Sequence, residues 1–132
     1  MILGIDASTY LEELDHGAKY YDGDLQIDPL DAFLNNGVDW MRIRVWNDPY
    51  SPEGEPYLAG NCDLENYIKL GALAKAKGYR LLMDLHYSDF WADPGKQMIP
   101  KAWKDLDLEA LAEAILPLTA CARQRQQVWR RI

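Results

Sequence analysis

Leu81-Leu82-Met83-Asp84-Leu85-His86-Tyr87-Ser88-Asp89-Phe90-Trp91-Ala92-Asp93-Pro94 joins two kinds of sequence without a break. Its first half is a short apolar run reached from Gly78. Side chains alternate faces along a strand. Leu81, Met83 and Leu85 therefore share one face, and Leu82, Asp84 and His86 the other. One face is wholly apolar, while the other gains Asp and His toward its C-terminal end. The second half is a loop of carboxylates, aromatics and a Pro. Parallel α/β folds place their sites at the C-terminal ends of buried strands, and this stretch has that form.

The same alternation occurs upstream. In Trp40–Trp46, Met41, Ile43 and Val45 make an apolar face, and Trp40, Arg42, Arg44 and Trp46 make the other. Two arginines cannot face apolar helices without a large desolvation cost, so they point away from them. Ile2–Asp6 reads as a first strand ending in Asp6. Between the strands lie helix signals. Asp28 is a cap with Pro29 at the first helical position, and Gly37 closes that helix. Asp63 caps a helix with the apolar stripe Leu64, Ile68, Leu70, Leu73 and Ala74, which Gly78 ends. Asp107 caps a third, through Leu108, Leu111, Ala112, Ile115 and Leu116. Ala7–Tyr21 reads as a loop with a short helix around Leu11–Leu14, and Asn47–Asn61 as a long loop. The order is βα three times over, with a strand starting about every 40 residues, which predicts a parallel sheet. Helices on one face and charge on the other suit a barrel, with Asp6, Arg42, Arg44, Asp84 and His86 on its inner wall. A doubly wound sheet is disfavoured, because Asp6-Ala7-Ser8-Thr9 is no glycine-rich phosphate turn.

The chain has 132 residues, enough for one domain with a core. Its net charge of −7 argues against a nucleic-acid partner. The sign is uneven, since residues 117–132 hold Arg123, Arg125, Arg130 and Arg131 and no acid. Cys62 and Cys121 are too few for a disulfide framework and read as two unrelated thiols. No apolar run is long enough to span a membrane, and neither a metal nor a cofactor is expected. Met1 leads straight into a strand, so the sequence as written is expected to stay in the cytoplasm; a start further upstream would allow secretion.

Several residues carry chemistry. His86 can orient a substrate or tune a carboxylate, or be satisfied in a buried polar network. Arg42 and Arg44 can hold a carboxylate ionised, or form a structural ion pair; Arg44, nearer the strand end, is the better functional candidate. Asp84, His86 and Asp6 could form a metal set, but no second His cluster accompanies them. Trp46, Trp91 and Trp103 are candidate sugar platforms. Trp91, flanked by Asp89 and Asp93 in a loop, is favoured as one, and Trp103 is favoured as packing. Tyr50 and Tyr57 fit either role. Aromatics, carboxylates and Arg suit a neutral, hydroxyl-rich ligand better than a phosphate. The reaction itself is not read from these features.

Arg42-Ile43-Arg44-Val45-Trp46-Asn47-Asp48-Pro49, the run Asp84 to Gln97, and Pro100-Lys101-Ala102-Trp103 closely resemble the glycoside hydrolase family 53 endo-β-1,4-galactanases. Gly4-Ile5-Asp6-Ala7-Ser8 and Lys19-Tyr20-Tyr21 resemble them too, so the likeness covers about residues 3–116. It implies an α/β fold, the N-terminal portion (about three βα units) of a TIM (β/α)8 barrel. It also implies an arabinogalactan endo-β-1,4-galactanase, which cleaves pectic β-1,4-galactan with retention, using two glutamates about 5 Å apart. By the same resemblance Arg44 and His86 support those carboxylates and the bound sugar. Asp93, Pro94, Gly95 and Lys96 match a substrate-contacting loop, with Trp91 and Asp6 as further substrate-binding matches.

The likeness also sets a departure. The two glutamates belong at the ends of the fourth and seventh strands, and no glutamate of this sequence matches either motif. Both are expected beyond Ile132, so no catalytic residue is expected within the sequence as written. Residues 1–116 therefore read as the N-terminal part of the barrel and 117–132 as an atypical tail. Pro117 is expected to break the last helix, and the basic residues after it carry no amphipathic stripe. The expectation is a frameshift near Pro117 that truncates the barrel and leaves the chain inactive alone. The alternatives are a non-catalytic carbohydrate-binding fragment and a metal-dependent barrel hydrolase.

Overall fold

The computed structural model describes the backbone of residues 1–59 and 61–129, and side chains in that range through Ala120. Cys121 and the arginines of the tail lie outside the described side chains, and Ile132 lies outside the described residues altogether. In chain order the elements are β1 (Gly4–Asp6), α1 (Tyr10–Asp15), β2 (Tyr20–Asp22), β3 (Leu25–Ile27), α2 (Pro29–Asn35), β4 (Trp40–Val45), α3 (Leu64–Lys77), β5 (Arg80–Leu85), a 3₁₀ turn at Lys101–Trp103, and α4 (Leu108–Trp129).

The three long-range strands pair in parallel in the order β1-β4-β5. Asp6 stands beside Arg42, and Arg44 beside Asp84. The alternation expected from the sequence holds. Met41, Ile43 and Val45 are buried, and Ile5, Leu81, Met83 and Leu85 pack against the same core. Leu30 of α2 and Tyr67, Leu70 and Ala74 of α3 cover that face.

Local signals set the helix ends. The Asp28 carboxylate accepts the Leu30 N–H at 2.9 Å, with Pro29 following. The Asp63 carboxylate accepts the Asn66 N–H at 2.7 Å. Gly78 ends α3 at φ +102°, a left-handed conformation that costs glycine little. Two polar ties then lock α2 to α3. Tyr79 donates its hydroxyl hydrogen to Leu30 O at 2.6 Å, and Lys77 Nζ lies 2.7 Å from Asp28 and 2.5 Å from Asp31.

Two sequence expectations need correction. The loop expected over Ala7–Tyr21 ends in a strand instead, because Tyr20 and Tyr21 begin the antiparallel hairpin β2–β3, turned through Gly23 at φ +59°. Each strand has only three residues, too short for alternation to show. The helix break expected at Pro117 does not occur, and α4 runs on to Trp129. Proline lacks an N–H and forgoes one bond, to the carbonyl four residues back. Tertiary contacts hold the helix through that gap. Leu118 packs on the core, and Thr119 meets the Tyr87 hydroxyl at 3.1 Å. Among the described residues no helix is long and apolar enough to cross a membrane.

Leu70 is buried and Leu108 is 84% exposed. Urea unfolding followed by circular dichroism should show a loss of about 2–5 kcal/mol for Leu70→Ala. Leu108→Ala should stay within about 0.5 kcal/mol of the parent.

Candidate functional site

The polar face of the sheet is a connected charge network. Arg42, on the central strand, donates from Nη1 to Asp6 Oδ2 at 2.6 Å and from Nη2 to Asp84 Oδ2. It thereby bridges β1 to β5 across β4. Its side chain is 41% exposed, so each pair adds little stability alone; its effect is to hold two carboxylates apart and oriented. At the end of β5, His86 Nε2 lies 2.8 Å from Asp84 Oδ2. Trp46, just past β4, donates Nε1–H to His86 Nδ1 at 3.1 Å.

Arg44 is a different case, because its side chain is only 4% exposed. A buried guanidinium requires compensation. Asp6 Oδ2 stands 3.7 Å from Nε, and the Trp91 ring lies under the guanidinium carbon at 4.0 Å, a cation–π contact. Nε and Nη1 are nevertheless buried without a hydrogen-bond acceptor. An unmet buried donor costs about 1–3 kcal/mol, so the arrangement calls for an oxygen ligand. Asp6 is held in turn by Ser8, whose N–H and Oγ–H both donate to Asp6 Oδ1, at 3.0 and 2.6 Å. Burial alone would push the Asp6 carboxyl up. The Ser8 bonds and the charges of Arg44 and Arg42 outweigh that and hold it below the ordinary carboxylate value.

Two loops frame these strand ends, and one carboxylate stitches them together. Asp89 accepts the Asp48 N–H at 3.0 Å and the Lys101 N–H at 2.7 Å. Lys101 Nζ reaches back to Asp48 O at 2.7 Å. Ser88, Asp89 and Lys101 lie within the stretches that carry the family resemblance, but the sequence assigns none of them a role in the site. Tyr87 takes φ +49°, a left-handed backbone that is strained for a bulky residue. That turn swings the chain outward directly after His86.

The candidates are thus partly gathered. Asp6, Arg44, His86 and Trp91 form one cluster, with the His86 and Trp91 ring centroids 6.1 Å apart. Asp93 and Pro94 line a cleft of about 680 Å³ with His86, Met98, Ile99 and Trp103. Gly95 and Lys96 do not line it. They close a tight turn in which the Gly95 N–H bonds Asp93 Oδ1 at 2.7 Å, and Lys96 Nζ lies 5.4 Å from the Phe90 ring centre. Trp91 is 41% exposed and keeps a free surface. Trp46 is fully buried and Trp103 nearly so, so neither ring is free to serve as a sugar platform. Tyr50 is engaged by Asp63 at 2.5 Å, and Tyr57 packs edge-on against Phe90. Asp6 and Asp84 face a guanidinium rather than each other. Among the described residues no group of three His, Cys, Asp or Glu stands close enough to hold a metal. Cys62 is buried, and burial pushes its thiol up to about 11, which keeps it unreactive. The expected place of the two glutamates, beyond Ile132, falls outside the described residues.

Comparison with known proteins places this geometry. The model of glycosyl hydrolase family 53 matches residues 2–126. The chain is 38% identical over 125 residues to the endo-β-1,4-galactanase of Bacillus subtilis, covering 94% of this chain and 29% of that protein. It is 37% identical over 119 residues to the arabinogalactan endo-β-1,4-galactanase of Cellvibrio japonicus, covering 89% and 30%. Among solved structures, the Ignisphaera aggregans GH53 catalytic domain superposes with a TM-score of 0.90 at 47% identity, over 98% of this chain and 36% of that one. A chain from a study of two fungal β-1,4-galactanases superposes at 0.80 with 30% identity, over the same shares. The chain thus spans about a third of the length of these relatives. Its sheet and helices are the N-terminal portion of a (β/α)8 barrel.

A carboxyl held low in the folded state stabilises the fold above its unfolded value of about 3.9. That contribution is lost as the pH falls through the lower folded value. Carboxylate ¹³C titration should therefore find Asp6 ionised to lower pH than a free aspartate. Ser8→Ala should move its midpoint upward and bring the acid loss of stability to higher pH. An unchanged Asp6 midpoint in that variant would show that Ser8 does not hold the carboxylate.

Proposed function

We propose, for a chain that belongs to glycosyl hydrolase family 53, that these strand ends form the N-terminal third of the site of a retaining endo-β-1,4-galactanase acting on the β-1,4-galactan of arabinogalactan. The observation that carries this reading is Arg44: a buried guanidinium at a barrel strand end, stacked on a half-exposed Trp91, with two donors still lacking an oxygen acceptor. A catalytic carboxylate or a sugar hydroxyl supplies such an oxygen. Trp91 offers its outer surface to the C–H face of a pyranose. Asp93 and Pro94 extend the binding surface from His86 along the cleft. Asp6 keeps Arg44 charge-paired, and His86 is held by Asp84 and Trp46.

Retaining hydrolysis needs an acid/base and a nucleophile about 5 Å apart. The glutamates of this sequence lie elsewhere: Glu12 and Glu13 on α1, Glu53 and Glu55 in the loop after β4, Glu65 on α3, and Glu109 and Glu113 on α4. None stands at the C-terminal end of β1, β4 or β5. In this reading both reacting carboxylates come from later strands of the barrel, and the present residues bind, orient and electrostatically support them. A second reading is carbohydrate binding without turnover, favoured by the exposed face of Trp91. It predicts galactan affinity in the chain alone.

The purified 132-residue chain should release no reducing sugar from β-1,4-galactan; turnover by it would overturn the assignment of the glutamates to later strands. Residues 2–126 grafted in place of the matching segment of the Bacillus subtilis relative should give an active galactanase. In that chimera Arg44→Lys should lower kcat/KM on the order of 100-fold. A folded but inactive chimera would sink the galactanase reading.

A further inference from the structure

We propose that Trp46 is a positioning residue whose indole N–H fixes His86 as its neutral Nε2–H tautomer, so that His86 acts as a strut between Trp46 and Asp84 and not as a proton carrier. The inference follows from what each partner is able to do. An indole N–H only donates. With Trp46 Nε1 at 3.1 Å from His86 Nδ1, Nδ1 must present its lone pair. The ring hydrogen then sits on Nε2, and Nε2 faces Asp84 Oδ2 at 2.8 Å, where an ionised carboxylate only accepts. A second proton on Nδ1 would set two N–H groups against each other. The two hydrogen bonds therefore select one form of the ring out of three.

The burial agrees with this assignment. Trp46 is fully buried and the His86 side chain is 8% exposed, so no nearby water substitutes cheaply for either bond. Trp46 is also clamped by its neighbours. Its backbone N–H bonds Cys62 O at 2.7 Å, and its ring packs against Phe90 and Trp91 at centroid distances of 5.2 and 5.7 Å. The donor cannot turn away. The chain of contacts continues from His86 to Asp84 and on to Arg42 and Asp6, so one buried indole sets the orientation of a relay that crosses all three parallel strands. With both ring nitrogens engaged, His86 has none to offer a sugar or a catalytic glutamate; it holds Asp84 and leaves the substrate contacts to Arg44, Trp91, Asp93 and Pro94. This role at a sugar site rests on the galactanase reading, whereas the tautomer does not.

The sequence contains an internal contrast, because it has only two histidines. His16 places Nδ1 at 2.8 Å from Glu12 O. A carbonyl only accepts, so His16 carries its hydrogen on Nδ1. The two rings are expected to be opposite tautomers in one molecule.

The test is ¹⁵N spectroscopy of the labelled full chain at about pH 8.5, above the ordinary imidazole value. Long-range ¹H–¹⁵N correlations should show a pyrrole-type Nε2 and a pyridine-type Nδ1 for His86, and the reverse for His16; His16→Gln assigns the two sets. The N–H···N bond should also produce a measurable scalar coupling between Trp46 ¹⁵Nε1 and His86 ¹⁵Nδ1. An Nδ1–H or averaged pattern for His86, or no coupling, would overturn the proposal in the parent chain without any variant. Trp46→Phe should convert His86 to an averaged pattern, while Trp91→Phe should leave the Nε2–H form intact. A Trp46→Phe chain that keeps a pure Nε2–H ring would show that Asp84 alone sets the tautomer. No spectrum depends on turnover, so an inactive chimera with an intact coupling would sink the galactanase reading and spare this one.

Discussion

Arg42 is the constraint on which the polar face depends. Three parallel strands bring Asp6 and Asp84 onto the same side of one sheet, and two carboxylates on a half-buried surface repel. The guanidinium between them turns that repulsion into a bridge, with one donor to each neighbour strand. Parallel pairing with Asp6 beside Arg42 makes the bridge possible, and a one-residue slip of β4 would send the guanidinium into the apolar core. The ion pairs are too exposed to stabilise the fold much by themselves. They favour the observed register over the one-residue slip that would bury the guanidinium and leave both carboxylates unpaired.

Around that bridge the site is built in two grades of burial. Arg42 and Asp84 remain partly solvated, while Arg44, Trp46 and His86 are sealed beneath the aromatic loop. Sealing raises the cost of every unmet donor and the strength of every met one. Arg44 carries this tension, held by Trp91 and Asp6 but with hydrogen-bond capacity unspent. Trp46 and His86 show the opposite condition, each polar atom matched to one partner. The first suits a group that receives something from outside, and the second a group that only holds position.

Much of this was legible in the sequence because a strand has a period of two. The alternation in Trp40–Trp46 and Leu81–His86 assigned Arg42, Arg44, Asp84 and His86 to one face, and the structure joins them there. The caps at Asp28 and Asp63 and the stop at Gly78 were equally local and equally readable. Parity did not reveal that Trp46, on the polar side, is fully buried, because Phe90 and Trp91 cover it from a loop more than 40 residues away in sequence. Nor did it reveal the β2–β3 hairpin, whose strands are shorter than any periodic window. At Pro117 local propensity pointed to a break, and packing of Leu118 and the Tyr87–Thr119 contact overrode it.

The Asp89 carboxylate has a consequence for how such a chain changes over time. It ties the backbone at Asp48 to the backbone at Lys101, and Lys101 returns the tie to Asp48. The loops after β4 and β5 therefore do not drift as separate units. An insertion between Val45 and Asp48, or between Asp89 and Lys101, would pull against a shared knot and distort the neighbouring loop as well. An insertion between Glu53 and Glu55, at the tip of the turn closed by the Ser51–Glu55 bond, lies outside the knot and does not pull on it. Length variation between related chains should concentrate on that outer segment, while the two inner ones keep step with each other.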